Sequence, residues 1–325
     1  MVAGMLGRCG LYMGEESELS RGDVHNPAGY WEHAGVRIVT QKVLNRLTEK
    51  YGSPVFAPSG WHIDPELSSF YSEAADVVSD FDKQSENWGW KYPPASLIIP
   101  FWRRVVPNLK FVLCLRNPLD VASSYTRFNP FDSCAARSLW AYHTAQVLLQ
   151  TEPADRVVSV YEAYFPSYRV GIRRLREFVG LPMPEPGSEL DARLAAFHRG
   201  DLKHHASTVQ DLVADTQSSY LVKELYIELL TGGSDASFVP IMAHADVFMP
   251  FVARAVAAEA ERRHLQDILQ SRTHRWASSV CEVLMKSPIA NAARNGSRFL
   301  ASASCFQRNA GAAVMPGLRS ARQVE

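Results

Sequence analysis

The residues of this chain best suited to chemistry lie between Phe111 and Tyr125. Five apolar residues, Phe111–Leu115, are followed at once by Arg116. An apolar run of this length is typical of a strand buried on both faces. The planar guanidinium of an arginine can grip two oxygens of one phosphate, which an ammonium group cannot do. The segment therefore indicates an anion site at the end of a buried strand.

The residues after Arg116 predict a helix that begins beside it. Asn117 is a good N-cap, and Pro118 is favoured at the first helical position, where a missing N–H costs nothing. We expect free backbone N–H groups and the positive end of the helix dipole to face the anion. Ser124 would add a hydroxyl donor, and Asp120 in the first turn would orient Arg116 or cap the turn. Taken alone, the segment fits equally well an ordinary strand–loop–helix whose arginine forms a surface ion pair.

Composition and charge allow an enzyme and exclude few other classes. The 325 residues are 46% hydrophobic, which is enough to bury one large core or a core with an appendage. The formal net charge is zero, so nothing in it demands nucleic acid or an acidic membrane as partner. The five cysteines are scattered without a CxxC pair, which favours free thiols and no metal site. No apolar run is long enough to span a bilayer, and no signal peptide is visible, so we expect a cytoplasmic protein.

Apolar periodicity predicts helices that alternate with two short strands. The predicted strands are Phe111–Leu115 and Val157–Val160, and the predicted helices cover residues 2–12, 36–47, 67–81, 101–106, 134–149 and 170–179. The Pro93–Pro94 pair predicts extended chain. Alternating strands and helices predict an α/β fold with a parallel sheet, which binds ligands at the carboxyl ends of its strands. Arg116, Tyr161 and Glu162 follow the two strands and should meet there.

The character of the chain changes at the Gly232–Gly233 pair. We expect an α/β domain over residues 1–232, a helical extension over residues 233–285 and a disordered basic tail over residues 286–325. Within the extension, residues 251–269 have the apolar spacing of a helix that could bind a protein partner. The six basic residues of the tail are too widely spaced to predict a nucleic-acid partner.

Four motifs, in order, resemble the sulfotransferase family that uses 3′-phosphoadenosine-5′-phosphosulfate (PAPS). The first three are the Gly29-Tyr30-Trp31-Glu32 loop, the Trp88-Gly89-Trp90-Lys91 run and the Arg116–Ser124 segment. The fourth is Tyr161-Glu162, which comes after a strand and is followed by the end of a helix at Leu175–Leu181. The resemblance covers about residues 1–230. It implies a P-loop-NTPase-like parallel sheet flanked by helices, and transfer of a sulfuryl group from PAPS to a hydroxyl or amine. The acceptor would be a small molecule or, by analogy only, a carbohydrate.

The resemblance also implies roles for single residues. Arg116 and Ser124 would hold the 3′-phosphate, and Tyr161 would pack near the adenine. Lys91, which the resemblance places at the end of a strand, would bring a cation to the sulfonate. As in phosphoryl transfer, such a protein mainly positions the reactants and neutralises charge on the leaving group, without a metal.

The base that takes the acceptor proton departs from the family pattern. Tyr92 and Pro93 stand where branches of the family carry an Asp or a His. A base must reach the nucleophile, and Glu32 in the resembling loop is the first choice, with His33 second. Glu32 could equally be a helix-capping or surface carboxylate.

A second departure concerns the cradle for the phosphosulfate. The family holds this group in a loop of the form PRSGTS between its first strand and first helix, where backbone N–H groups meet the anion. Residues 2–12 resemble the helix that follows that loop. We expect the chain to be a truncated or mis-started member that lacks the first strand and the phosphate loop, and whose activity is impaired. Upstream codons for such a strand and loop would support this expectation.

Two alternatives stay open at this stage. The chain could be a non-catalytic protein that binds adenosine bisphosphate and uses the helix at residues 251–269 to hold a partner. It could also be a nucleotide kinase or another nucleotide-binding α/β enzyme. Sulfate transfer by the chain would exclude the first alternative. Tighter binding of ATP than of adenosine 3′,5′-bisphosphate would favour the second.

Overall fold

The structure, a computed structural model, describes residues 1–23, 26–27, 29–128, 132–181, 185, 187–198, 207–233, 238 and 241. The predicted helix at residues 251–269, the predicted tail over 286–325 and nearly all of the extension over 233–285 lie outside these residues. In the part that is described, no helix combines the length and the apolar character needed to cross a membrane.

Helices account for most of the described chain. Within the described ranges the α-helices are, in chain order, α1 (Val2–Arg8), α2 (Ala34–Tyr51), α3 (Ser68–Gln84), α4 (Ile99–Val105), α5 (Pro118–Phe128), α6 (Ser133–Gln150), α7 (Tyr168–Val179), α8 (Glu189–Phe197), α9 (Val209–Ala214) and α10 (Tyr220–Thr231). The strands among the described residues are β1 (Phe111–Leu115) and β2 (Arg156–Val160). Short 3₁₀ helices, including Pro93–Leu97 and Tyr161–Tyr164, connect several of them.

The two strands form a parallel pair in register from Phe111 with Arg156 to Leu115 with Val160. The crossover between them runs through α5 and α6, as a parallel connection requires. The predicted strand at Phe111–Leu115 is confirmed, but the expectation that it is buried on both faces was wrong, since only Leu115 is buried and Cys114 is exposed. The second strand begins one residue before its predicted start. The expectation of an α/β fold with a parallel sheet therefore holds at this coarse level, with a sheet of two strands in the described residues.

Three apolar clusters bury the inner faces of these elements. One joins the end of β1 to α6 and α10 through residues such as Leu115 and Leu225. A second packs α1 against β2, α7 and α8, with Met5 and Leu175 fully buried. The third lies between α2, α3 and α4 and is rich in tryptophan; in it the indole of Trp102 donates a hydrogen bond to Thr40 at 3.2 Å. The clusters account for the apolar faces that the periodicity predicts.

Most predicted helices are confirmed with ends that differ by at most four residues, but α1 is shorter than expected. It ends at Arg8, because Gly10 has φ +100°, a left-handed backbone that terminates a helix. The next residues are extended, and Tyr12 pairs with the chain near Trp88 through two backbone hydrogen bonds of 2.9 Å. The prediction of one helix to residue 12 was wrong because an apolar pattern does not reveal a glycine with positive φ.

The Pro93–Pro94 pair does not continue extended chain as predicted. Only Tyr92 is extended, and the prolines open the 3₁₀ helix Pro93–Leu97, where their missing N–H groups are not needed. This turn packs against α6, and the Ser96 hydroxyl lies 2.7 Å from Nδ1 of His143. Burial lowers the pKa of His143 to about 4, and a hydrogen bond to the Pro93 backbone opposes the shift. The neutral imidazole is therefore the form that the folded chain accepts.

This burial predicts a pH dependence of stability. Unfolded His143 takes up a proton near its ordinary pKa, whereas the folded chain resists it down to about pH 4. The free energy of unfolding should therefore fall as the pH drops from about 6.5 to about 4, by roughly 2–3 kcal/mol from this residue. Urea unfolding of the parent and of His143→Gln across this range measures the contribution. A variant that keeps the full slope of the parent would show that His143 is not its source.

Candidate functional site

The register of the two strands brings Arg116 and Tyr161 together. Leu115 pairs with Val160, so the next residue of each strand lies at the same edge of the sheet. The guanidinium carbon of Arg116 lies 4.6 Å from the centre of the Tyr161 ring, within the range of a cation–π contact. The side chain of Arg116 is 24% exposed, and its Nε is buried without a hydrogen-bond partner among the described residues. Its guanidinium makes no hydrogen bond among the described residues, so the exposed part of Arg116 can still donate to a ligand.

Asp120 contacts Arg116 from α5, as expected. Its Oδ2 lies 3.8 Å from Nη2 of Arg116, which is an ion pair but too long for a hydrogen bond. The other carboxylate oxygen, Oδ1, accepts a 3.0 Å hydrogen bond from the backbone N–H of Ser207. The side chain is almost completely buried. One oxygen of Asp120 thus pairs with Arg116, and the other binds the backbone of the segment before α9.

Asn117 is the point where three parts of the chain meet. Its backbone N–H donates to Oε1 of Glu162, which follows β2, at 3.1 Å. Its side-chain amide donates to the carbonyls of Ser207 and Thr208 at 3.1 and 3.0 Å. Its side-chain oxygen accepts from the N–H of Leu119 at 3.0 Å, so the predicted N-cap is confirmed. Asn117 is fully buried and every polar group of its side chain is satisfied.

These bonds occupy the first of the N–H groups that we expected to face an anion at the start of α5. The N–H of Asn117 is taken by Glu162, Pro118 has none, and the N–H of Leu119 is taken by the cap. An anion at this edge must therefore be held mainly by side chains. The sequence could not show this, because the carboxylate that occupies the N–H of Asn117 lies 45 residues further along the chain.

Ser124 is placed to contribute such a side chain. It lies four residues after Asp120 in α5, so both project from the same face of the helix. It is half-buried, and its hydroxyl has no hydrogen-bond partner among the described residues. The spacing of Arg116, Asp120 and Ser124 therefore gives one continuous polar face, as the sequence predicts.

The electrostatic balance at this edge is set by one arginine and two carboxylates. Burial raises the pKa of Tyr161; the positive charge of Arg116 opposes the rise, and the negative charges of Glu162 and Asp120 add to it. Burial also raises the pKa of Tyr226 to about 12, with the same two carboxylates adding to the shift. Anion binding here therefore depends strongly on the charge of Arg116.

The two first choices for catalysis, Glu32 and Lys91, form an ion pair. Oε1 of Glu32 lies 2.5 Å from Nζ of Lys91, and the carboxylate side chain is only 17% exposed. The backbone carbonyl of Glu32 accepts hydrogen bonds from the N–H and hydroxyl of Ser20, at 3.0 and 3.2 Å, which fixes the loop. The structure thus joins two residues that are 59 positions apart. Lys91 itself does not end a strand; nearby, only Trp88 forms an isolated bridge, with Tyr12.

His33, the second choice for the base, is the N-cap of α2. Its Nδ1 accepts from the backbone N–H of Val36 at 3.5 Å. Its Nε2 lies 3.4 Å from the carboxylate of Glu18. Both ring nitrogens therefore face groups that stabilise the start of α2.

Trp31, beside Glu32, has an unusual backbone conformation that the sequence did not reveal. Its φ is +58°, a left-handed value that costs energy in an aromatic residue and often marks a functional site. The indole packs on the glycines of α1, since a Cβ added at Gly4 or Gly7 would lie 3.0 Å from the ring. Arg8 lies over the same ring at 5.4 Å. The two glycines, three apart on one helix face, are the sequence signal for this close approach, which helps to fix Glu32.

Lys91 of the Glu32–Lys91 pair acts electrostatically on Cys114 of β1. Cys114, two residues before Arg116, is accessible to solvent but crowded by the surrounding chain. This crowding raises the pKa of its thiol, and the positive charge of Lys91 opposes the rise. Lys91 therefore lies within electrostatic reach of the carboxyl half of β1. The described residues contain no group of three or more His, Cys, Asp or Glu placed to hold a metal ion.

Comparison of the chain with models of known protein families, with curated proteins and with solved structures gives no match. The chemistry of the site must therefore be argued from its own residues.

Removal of the Asn117 side chain should destabilise the folded chain around the site. Asn117→Ala leaves the carbonyls of Ser207 and Thr208 and the N–H of Leu119 without partners. We expect the free energy of unfolding to fall by about 2–4 kcal/mol in urea titrations. Ser123→Ala, an exposed change in the same helix, is the matched control and should stay within about 0.5 kcal/mol of the parent. Equal stability of the two variants would contradict the role of Asn117.

Proposed function

We propose that this chain is a sulfotransferase-type domain that binds the 3′-phosphoadenosine part of PAPS and passes a sulfuryl group to a hydroxyl or amine. The observation that carries the proposal is the position of Arg116. It lies at the carboxyl end of the parallel strand β1, against the ring of Tyr161, and its partly exposed guanidinium makes no hydrogen bond among the described residues. This is the edge of a parallel sheet where ligands bind.

The residues at this edge fit a phosphate group. The guanidinium of Arg116 keeps unused donors, and the Ser124 hydroxyl lies on the same side of α5 without a partner among the described residues. Two charged or hydroxyl donors of this kind suit the oxygens of a phosphate ester. Tyr161 offers the flat surface on which an adenine ring can stack. On these grounds we assign Arg116 and Ser124 to the 3′-phosphate and Tyr161 to the base.

Glu32 and Lys91 supply the other groups that the transfer needs. The acceptor oxygen forms a bond to sulfur while the bond from sulfur to the bridging phosphate oxygen breaks, and the electron pair leaves with the adenosine bisphosphate. Lys91 neutralises the charge that develops on the bridging oxygen. Glu32 accepts the proton of the hydroxyl or amine. Base and cation lie 2.5 Å apart in an ion pair, which must open when substrates bind, because the attacking and the leaving oxygen lie on opposite sides of the sulfur.

The finer architecture belongs to the same proposal. We infer that β1 and β2 are two strands of a P-loop-NTPase-like sheet, because they are parallel, joined by a helical crossover and followed by the polar residues described above. The cysteines of the described residues, Cys9, Cys114 and Cys134, are all free thiols, which suits a reducing compartment such as the cytoplasm.

One observation favours the non-catalytic alternative. Glu32 and Lys91 neutralise each other, so a protein that only binds adenosine bisphosphate could keep this pair for stability. Incubation of the chain with ³⁵S-labelled PAPS and a mixture of hydroxyl acceptors separates the two functions. Labelled product would exclude a purely binding role, whereas nucleotide binding without any product would support it.

Loss of the Arg116 guanidinium should weaken nucleotide binding. In calorimetric titrations with adenosine 3′,5′-bisphosphate, we expect Arg116→Ala to lose about 1.5–3 kcal/mol, or about ten- to a hundredfold in Kd, because a charge-assisted contact disappears. Arg116→Lys should be intermediate, since it keeps the charge and loses the fork. Ser124→Ala should lose less, about 0.5–1.5 kcal/mol.

The control for this series is Arg127→Ala, which removes an exposed arginine from the last turn of the same helix. Its affinity should match the parent. Thermal unfolding of each variant shows whether the fold is intact. If the Arg116→Ala variant is folded and binds the nucleotide with the parent's affinity, the assignment of the phosphate site is refuted.

A further inference from the structure

An arginine at the end of α1 lies over two aromatic rings where α1 meets α8. The guanidinium carbon of Arg8 lies 3.8 Å from the centre of the Phe197 ring and 5.4 Å from that of Trp31. Both rings also approach Gly4, where an added Cβ would lie 2.5 Å from Phe197 and 3.0 Å from Trp31. The absence of a side chain at Gly4 therefore lets the two rings come together beside Arg8.

Arg193 of α8 brings a second positive charge to the same place. It precedes Phe197 by one helical turn, so the two side chains project from one face of α8. Because the ring of Phe197 lies against Arg8, this face presents Arg193 to the first guanidinium. Burial lowers the pKa of Arg8, and the positive charge of Arg193 lowers it further, as expected for two cations at close range.

No acidic side chain balances this pair of arginines in the described chain. Neither guanidinium has a carboxylate within 4 Å there, even though Glu189 stands one turn before Arg193 on α8. The side chain of Arg8 uses Nη1 to donate to the carbonyl of Gly4 at 3.0 Å. Its other donors, and those of the exposed Arg193, are open to a ligand.

The residue that follows α1 contacts a further cation without an acidic partner in the described chain. Cys9 is hydrogen-bonded to Arg176 of α7, whose side chain is fully buried. Two nitrogens of Arg176, Nε and Nη1, have no hydrogen-bond partner among the described residues. The electrostatic potential at this end of α1 is therefore positive, which favours an anion over a neutral molecule.

We propose that Arg8 and Arg193 form a binding site for a phosphate monoester. A phosphate dianion matches the two positive charges, and its three terminal oxygens can accept from two guanidinium groups. A carboxylate has only two oxygens, which a single guanidinium can fill. The half-buried Arg8, held by the Gly4 carbonyl and the two rings, would fix the position of the phosphate, and the exposed Arg193 would close on it.

This site is separate from the nucleotide edge at Arg116. Phe197 packs on the apolar cluster that joins α1 to β2, α7 and α8. Leu115, which precedes Arg116, belongs to the cluster that joins the end of β1 to α6 and α10. The phosphate monoester site would exist whether or not the chain transfers a sulfuryl group.

Two probes of the same size and shape test the match in charge. At about pH 8, above the second pKa of a phosphate ester, methyl phosphate is a dianion, whereas methyl sulfate is a monoanion. Calorimetric titration of the full chain should give a Kd at least about tenfold lower for methyl phosphate, the difference expected for one charge-assisted contact. Inorganic phosphate should bind no more tightly than the ester. Binding of inorganic phosphate at least about tenfold tighter would overturn the choice of an ester.

The decisive variant is Arg193→Gln, because Arg193 is exposed and its loss should leave the fold intact. We expect it to weaken methyl phosphate binding about tenfold or more, and Arg193→Lys to keep part of the affinity. Arg8→Gln should act in the same way, and thermal unfolding shows whether this half-buried change is tolerated. The matched control is Arg173→Gln, an exposed arginine of α7, which should bind methyl phosphate as the parent does.

The Arg116→Ala variant separates this site from the nucleotide edge. It should bind methyl phosphate as the parent does, whereas Arg193→Gln should keep the parent's affinity for adenosine 3′,5′-bisphosphate. Loss of methyl phosphate binding in Arg116→Ala but not in Arg193→Gln would assign the probe to the nucleotide edge and overturn the proposal. Equal or absent binding of the two methyl esters, or unchanged binding by the folded Arg193→Gln variant, would overturn it as well.

Discussion

The parallel pairing of β1 with β2 is the constraint on which the candidate site depends. Because the strands run in the same direction and in register, Arg116 and Tyr161 leave the sheet together. Glu162 then reaches back to the N–H of Asn117, and Asn117 ties the segment before α9 to the same point. A slip of one residue would turn every side chain of a strand to the opposite face. It would separate the arginine from its aromatic partner and break the bond at the helix cap.

The same arrangement imposes an energetic cost that bears on function. The buried carboxylate of Asp120 pairs with the guanidinium of Arg116, and the half-buried carboxylate of Glu162 contacts the next residue, Asn117. Each accepts a backbone hydrogen bond, which offsets part of the desolvation cost of its charge. Each also retains one oxygen without a hydrogen-bond partner in the described chain. Under the proposed function, an anion would be stabilised where the guanidinium directs its donors and repelled by the two carboxylates elsewhere.

Local features of the fold were readable from the sequence, and contacts between distant segments were not. The strand Phe111–Leu115 and the Asn117 cap follow from short-range rules, and both are confirmed. The amide of Asn117 meets residues 90 and 91 positions later, and no local pattern encodes such a pairing. The left-handed Trp31 and the occupied N–H groups of α5 are likewise consequences of tertiary packing.

For the site residues, too, local motifs predicted which residues take part, but not all of the contacts between them. The motifs pointed to Arg116, Asp120, Ser124 and Tyr161, and the structure brings the arginine, the aspartate and the tyrosine into contact. They also pointed to Glu32 and Lys91, which pair directly. His33 could not be distinguished from a base by its type alone, because a helix cap and a base use the same ring nitrogens.

The central claim is that the edge formed by Arg116, Ser124 and Tyr161 recognises a phosphate on the 3′-oxygen of adenosine. The direct measurement is a competition at equilibrium between adenosine 3′,5′-bisphosphate and adenosine 5′-diphosphate, which carry two phosphates each and differ in where the second one is attached. The account predicts that the 3′,5′-bisphosphate binds at least about tenfold more tightly, the difference expected for one charge-assisted contact. Equal affinity, or tighter binding of the 5′-diphosphate, would contradict it.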